Sequence, residues 1–231
     1  MPVAGVVWWL VMTVFPQISP RILKGGIALI DPETGRVVRV IALQYNPETL
    51  SRTFQPQAVG GDGGSDRSQA LRLTGPPIES YKLDAEIDAA DQLDDGDELV
   101  GRYGIQPYLA ALELLVYPTS AQLQEHHAAA GRGELQIAPV EAPLTLFIWS
   151  TSRVVPVRVT DFSVEEEFFD TRLNPIRAKV SLGMRVLSVS DLGYDHRGGS
   201  LYLRYQQEKE RLAATVPGAS PAVLGLREVP S

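Results

Sequence analysis

From Lys24 onward, short apolar runs alternate with turn signals. "GGIALID" and "RVVRVIALQY" are rich in Val, Ile and Leu and flank "PETG". Pro, Thr and Gly suit a tight connection, so Gly26 to Tyr45 reads as a β-hairpin that Asn46 and Pro47 bring to a stop. From Glu79 the alternation is strict, with Tyr81, Leu83, Ala85 and Ile87 on one side and Lys82, Asp84, Glu86 and Asp88 on the other. "RAKVSLGMRVLS" repeats the pattern: Ala178, Val180, Leu182, Met184 and Val186 face one way, Arg177, Lys179, Ser181 and Arg185 the other. "LTLFIWS", "RVVPVRVT" and "SVEEEFFD" read as three further strands joined by short polar turns.

Two stretches carry a helical period. "DELVGRYG" predicts a short helix with acids in its first turn, where they suit the dipole, and Gly104 at its end. Pro107 opens "PYLAALELLVY", which is apolar on nearly every side except Glu113 and ends at Pro118. Such a helix belongs in the interior, plugging the layer between sheets or closing a barrel. "SAQLQEHHAAAGRGE" reads as either a helical insertion or a loop, and "SLYLRYQQEKERLAA" as a C-terminal helix with Ser200 as its N-cap. The glycine-rich stretch 60–69 reads as a loop without the Gly-Lys-Ser/Thr ending that cradles phosphate.

The fold class is therefore mainly β with helices (α+β): two packed antiparallel sheets or a barrel-like fold, a buried helix and a C-terminal helix. The chain divides into an apolar extension (1–22), a β domain (23–190), and a helix with an extended tail (191–231). The extension holds thirteen uncharged residues, Val3 to Phe15. A bilayer-crossing helix needs about 20 apolar residues, and no basic n-region or small-residue cleavage site is present. Three readings of it stay open: an over-long start, a poorly ordered arm, or a β-prone strand that pairs with a neighbouring subunit.

Composition narrows the function. At 231 residues with 44 % hydrophobic and 21 % charged content, the chain reads as a soluble globular protein. It has no cysteine, which excludes disulfides, thiolate catalysis and cysteine-based metal sites. A pI near 5.0 argues against nucleic acid, which requires a basic surface. The net charge of -7 is concentrated: eight acids lie between Asp84 and Glu98 with no basic residue among them, so the rest of the chain sums to +1 (-7 minus -8).

Three chemical readings arise, the first on that acidic stretch and the others elsewhere in the chain. As a calcium loop, "DQLDDGDELVGR" places Asp91, Asp95 and Gly96 correctly, but Leu93 and Arg102 stand where two ligands are needed. A transition metal would need His126, His127 and His196, yet adjacent histidines do not share a helix face. Paired carboxylates could hydrolyse glycosides, with Glu165, Glu166 and Glu167 as candidates only because they are acids. A solvated or subunit-facing strand accounts for all of them, and neither a catalytic residue, a cofactor nor a metal is expected.

Several strings, in order, carry a resemblance: "KGGIALID", "QYNPETLSRTFQP", "LTGPPIESYKLDAEIDAADQLDD", "GIQPYLAALELLVYP", "PLTLFIWS", "RVVPVRVTDFSVEEEFFDTRLNPIRAKVSLGMRVL" and "YQQEKERLA". From about Lys24 to Ala213 the chain resembles the tube-domain family of contractile injection systems, the phage-tail-like particles that drive a rigid tube and spike into a target. The resemblance implies a phage tail-tube fold and a six-fold ring acting as tube and baseplate adaptor. It implies as partners sister copies, the inner tube protein, the spike, and baseplate or sheath proteins. Assembly would take place in the bacterial cytoplasm, in a particle that stays there or is released, without stable membrane insertion. Family members often carry a C-terminal LysM module, but only eighteen residues follow Ala213, so direct peptidoglycan binding is not expected. A peptidoglycan-binding or wall-cleaving baseplate component is the alternative. On the ring reading, Asp84, Glu86 and Asp88 meet Arg177, Lys179 or Arg185, either within one sheet or across a subunit boundary.

Overall fold

Alternation turns into structure first at the hairpin. In this computed structural model, which describes residues 23–57, 73–132, 142–225 and 227, β1 (Gly26–Ile30) pairs antiparallel with β2 (Val37–Ala42). The Asp31 carboxylate accepts the N–H groups of Glu33 and Thr34, each at 2.9 Å. Gly35 takes the left-handed φ of 71° that closes the turn. Asn46 ends the hairpin by accepting from Gly25 N and donating to Leu23 O. The N-terminal extension and the glycine-rich loop lie outside the described residues.

Five more strands follow: β3 (Leu50–Gln55), β4 (Ile78–Asp88), β5 (Leu144–Ser150), β6 (Arg153–Phe169) and β7 (Pro175–Val186). All seven form one antiparallel sheet in the order β2-β1-β5-β6-β7-β4-β3. The protein is thus mainly β with several helices. One sheet stands where two sheets or a barrel were expected, and it is not closed. Three strand spacings separate β4 from β5, about 14 Å in a flat sheet, yet the Tyr81 and Phe147 rings lie 5.2 Å apart. The sheet therefore curls until its inner face packs on itself, burying Ile27, Leu83, Val155, Val157, Val180, Leu182 and Met184. A single curved wall does the work of two layers.

β6 was legible as two strands and is one, seventeen residues long. Its inward residues change parity from Val155 and Val157 to Phe162 and Val164, and the pairing with β7 shifts between Val159 and Asp161. Thr160 is the extra residue of a bulge, which keeps the apolar side facing inward beyond it. Pro156 has no N–H to donate, but it lies where the β7 ladder ends at Val186, and its carbonyl still accepts from Leu187 N at 2.9 Å.

Helices close the two ends of the curl. At the C-terminal end of β4 come α1 (Ala90–Asp94), α2 (Glu98–Tyr103) and α3 (Gln106–Glu113). Asp97 caps α2, accepting from Leu99 N and Val100 N. A Cβ on Gly104 would sit 2.2 Å from Pro175 O, so glycine lets the α2–α3 junction press on β7. α3 buries Ile105, Leu109 and Leu112 but leaves Tyr108, Leu114, Val116 and Tyr117 exposed. It plugs the curl with one side only, not all round as its composition suggested. α4 (Ser120–Gly131) settles the next segment as a helix, started by a Thr119–Gln122 capping box. α5 (Val189–Leu192) and α6 (Arg197–Ala213) follow β7, with Leu192 and Leu201 covering the outward residues Ala28, Ile30, Leu144 and Leu146 of β1 and β5. The N-cap of α6 is His196, whose Nδ1 accepts from Gly198 N at 3.0 Å, and not Ser200. Gly198 and Gly199 lie against Leu192 and Gly193, where any Cβ would clash, so the helix begins before them.

Candidate functional site

The strict alternation of β4 and β7 places the charged residues on the outward face, and antiparallel register aligns them with β6. Three rows cross the sheet: Asp88–Arg177–Glu167, Glu86–Lys179–Glu165, and Asp84–Ser181–Ser163. All six residues singled out from the sequence lie on this face. Within the chain, Arg177 donates to Asp88 through Nε at 2.7 Å and Nη2 at 2.5 Å, and its Nε lies 3.3 Å from Glu86. Lys179 turns away from Glu86 to Glu167 at 2.6 Å. The Ser181 hydroxyl donates to Asp84. Arg185 bonds Asp191 at 2.7 Å, beyond the strand.

Electrostatics follow these contacts. The Ala90 N–H holds the Asp88 carboxyl below its ordinary value against some desolvation, with help from Arg177. Arg177 is raised by its bonds to Asp88, and Lys179 by its bond to Glu167. Burial would raise Asp191, but the Ser188 N–H and hydroxyl and then Arg185 outweigh it and lower the group.

The face is sorted by sign along the strands. Toward the β6–β7 turn lie five carboxylates, Asp84, Glu86, Asp88, Glu165 and Glu167, with two cations, Arg177 and Lys179. Toward the other end lie Lys82, Arg158 and Arg185 with Asp161. Arg158 stands directly opposite Arg185, a repulsive placement that Asp191 relieves only for Arg185. Among the described residues, Lys82 and Arg158 form no ion pair. Hydroxyls and a lysine line a cleft between them, including Ser51, Thr53, Lys82, Thr160, Ser163 and Ser181.

Other acids from the sequence are scattered. Glu165 and Glu167 share the outward face, whereas Glu166 pairs with Ala178 on the opposite parity. Gly96 occupies a turn between α1 and α2 at φ 74°. His127 is exposed on α4 and His196 caps α6. Among the described residues, no group of three or more His, Cys, Asp and Glu is placed to hold a metal ion, and no helix is long and apolar enough to cross a membrane.

Comparisons with known proteins are sparse. No family model and no curated protein matches the chain. Among solved structures it is similar to the tail of an empty GTA particle with C6 symmetry, at 13 % identity over 71 % of this chain and 90 % of that one, with a TM-score of 0.27. A likeness at that level carries no functional argument.

One cluster escaped the sequence reading. Glu79 is 2 % exposed and shares the inward side with Tyr81 and Leu83. Its Oε1 accepts from Arg52 at 2.8 Å and from the Tyr205 hydroxyl at 2.7 Å, and its Oε2 from Lys209 at 2.9 Å. The Tyr81 and Tyr205 hydroxyls are bonded at 2.7 Å, and Lys209 lies 4.0 Å from the Tyr205 ring centre. Burial pulls the Glu79 carboxyl up, but Arg52, Tyr205 and Lys209 overcome it and hold it below its ordinary value. Burial pushes Tyr81 up to about 12 and raises Tyr205 as well. The available signal was parity: an acid in a core-facing register position must have partners.

Proposed function

We propose that this chain is a structural subunit of a phage-tail-like contractile injection particle. It forms a six-fold ring that joins the inner tube to the spike at the baseplate, and it is not an enzyme. The supporting observation is the outward face of β4, β7 and β6, rigid and sorted by charge, with unpaired cations at one end and an excess of carboxylates at the other. Such a face complements a copy of itself placed end to end. Opposite ends attract, and reversed or slipped arrangements bring like charges together. Among the described residues the outer edge of β3, beside it, has no strand partner and is open to a neighbour. The sequence resemblance over about 24–213 supplies the identity of the particle and the ring symmetry.

Charge reversal tests the reading. Full-length protein with Asp84→Lys and Glu86→Lys should lose ring assembly by sedimentation and negative-stain microscopy, while the monomer stays folded at somewhat lower melting temperature because Glu86→Lys faces Lys179. Rings that persist through the double reversal, or absence of the protein from particles purified from its host, would reject it.

A further inference from the structure

The β6–β7 hairpin ends in a surface that is exposed among the described residues. Phe168, Phe169 and Leu173 are 66 %, 50 % and 78 % exposed. Phe168 and Leu173 also hold left-handed backbones, with φ of 54° and 65°, which side chains with a Cβ adopt only at a cost. The tip is braced. Asp170 Oδ1 accepts from Arg172 N at 2.7 Å and Asn174 N at 2.8 Å, and Asn174 Nδ2 donates to Asp170 Oδ2 at 2.8 Å and to Arg102 O at 3.3 Å. These bonds brace the backbone of the turn that carries the apolar side chains, and Arg177 lies 5.4 Å from the Phe168 ring centre.

A receptor for that shape lies elsewhere on the same chain. β3 pairs only with Ile78–Leu83 of β4, so among the described residues 84–88 have a strand on the β7 side alone. Among the described residues the outer edge of β2 has no strand partner and lines a gap with them. Gln44 spans one end of it, its Nε2 donating to Asp88 O at 2.5 Å and its Oε1 accepting from Asp88 N at 2.9 Å, as a neighbouring strand would. Beyond Gln44 the gap widens into a groove of about 500 Å³ lined by Val40, Ile41, Leu43, Ile87, Ala111 and Leu112. Lys24 and Arg39 also line it. Neither forms an ion pair among the described residues, and neither do Glu165 and Glu166 on the hairpin.

We propose that the Phe168–Leu173 tip of one copy inserts into the β2–β4 groove of a second copy. Among the described residues the tip stays exposed and does not reach the groove of its own chain, so a second copy is its proposed receptor. Phe168, Phe169 and Leu173 enter the apolar groove, and Glu166, on the face of β6 opposite the charged rows, meets Lys24 or Arg39. The contact uses two different patches, so in each pair one copy keeps a spare groove and the other a spare tip, and assembly continues until it closes. This deepens the ring reading by naming which surfaces mate.

The test is complementation between full-length variants. A tip variant, Phe168→Asp with Phe169→Asp, and a groove variant, Val40→Asp at an exposed position or Ala111→Glu deeper in, should each weaken self-association by about thirtyfold or more, as removal of a hot-spot aromatic does. Mixed one to one, tip and groove variants should form dimers and nothing larger, because one intact tip meets one intact groove. The chain has no cysteine, so Phe169→Cys in one copy and Ala111→Cys in another should join as a disulfide-linked dimer. Tip variants that assemble like wild type, or a cysteine pair that never joins, overturn the contact. If rings survive the tip variant yet dissolve on Asp84 and Glu86 reversal, the contact fails and the ring reading stands. A wild-type chain that stays monomeric at all concentrations overturns both.

Discussion

The two ends of the curled sheet are stoppered by opposite means. At the C-terminal end of β4, α3 and its N-cap insert Ile105, Leu109 and Leu112, and among the described residues α3 itself forms no ion pair. At the N-terminal end, α6 is held by a buried carboxylate with two cations and two phenols around it. The apolar stopper depends on volume and is indifferent to exact angles and to protons. The polar one depends on every partner being present, since a buried charge left alone is far more costly than a missing methylene. It specifies one docking position for α6, and it makes that docking sensitive to acid.

Removing the central carboxylate breaks the comparison hardest. Glu79→Ala should cost about 4 kcal/mol in denaturant titrations, because Arg52 and Lys209 lose their shared counter-charge. Its pH dependence has a definite sign. The folded carboxyl lies below its ordinary value, so its stabilisation is complete above about 4.3 and vanishes as pH falls through the depressed folded value. Wild type should lose stability through that acid window, and Glu79→Ala should lack that share of the loss. An identical acid profile in both would show that α6 docks without the network.

The apolar end yields the next largest effect. Leu109→Ala should cost about 3 kcal/mol by transfer and cavity terms, and the deficit should be the same in mild acid as at neutral pH. A pH-dependent deficit would erase the contrast between the ends. The smallest change sharpens it: Tyr205→Phe keeps the ring under Lys209 but removes a hydroxyl bonded to Glu79, Arg52 and Tyr81. Its cost should be about 1.5 kcal/mol, typical of a hydrogen bond to a charged group. Protection of α6 amides from exchange should fall while that of α3 stays unchanged.

Legibility in the sequence followed the physics of each element. β4 and β7 could be read because a one-sided burial requirement stamps a period of two on eleven and twelve residues. The outward placement of Asp84, Glu86, Asp88, Arg177, Lys179 and Arg185 came with it. Their partners did not, because register across strands is a tertiary outcome: Lys179 turns to Glu167 and Arg185 to Asp191, neither of which alternation along one strand reveals. The sheet's curl was hidden for the same reason, since one bent layer and two flat ones bury the same positions. The start of α6 was misread because Ser200 is a good cap by type, whereas contacts of Gly198 and Gly199 with distant residues decided the boundary. Glu79 was visible as a misfit and needed only the question of what could neutralise it.

The length of β6 has a mechanical consequence. At about 3.3 Å per residue its seventeen residues make a rod of roughly 56 Å that reaches from the α6 end to the protruding tip. β6 and β7 are joined at the tip, so a load received there enters both strands through covalent backbone, and their eleven registered partners hold the two in step.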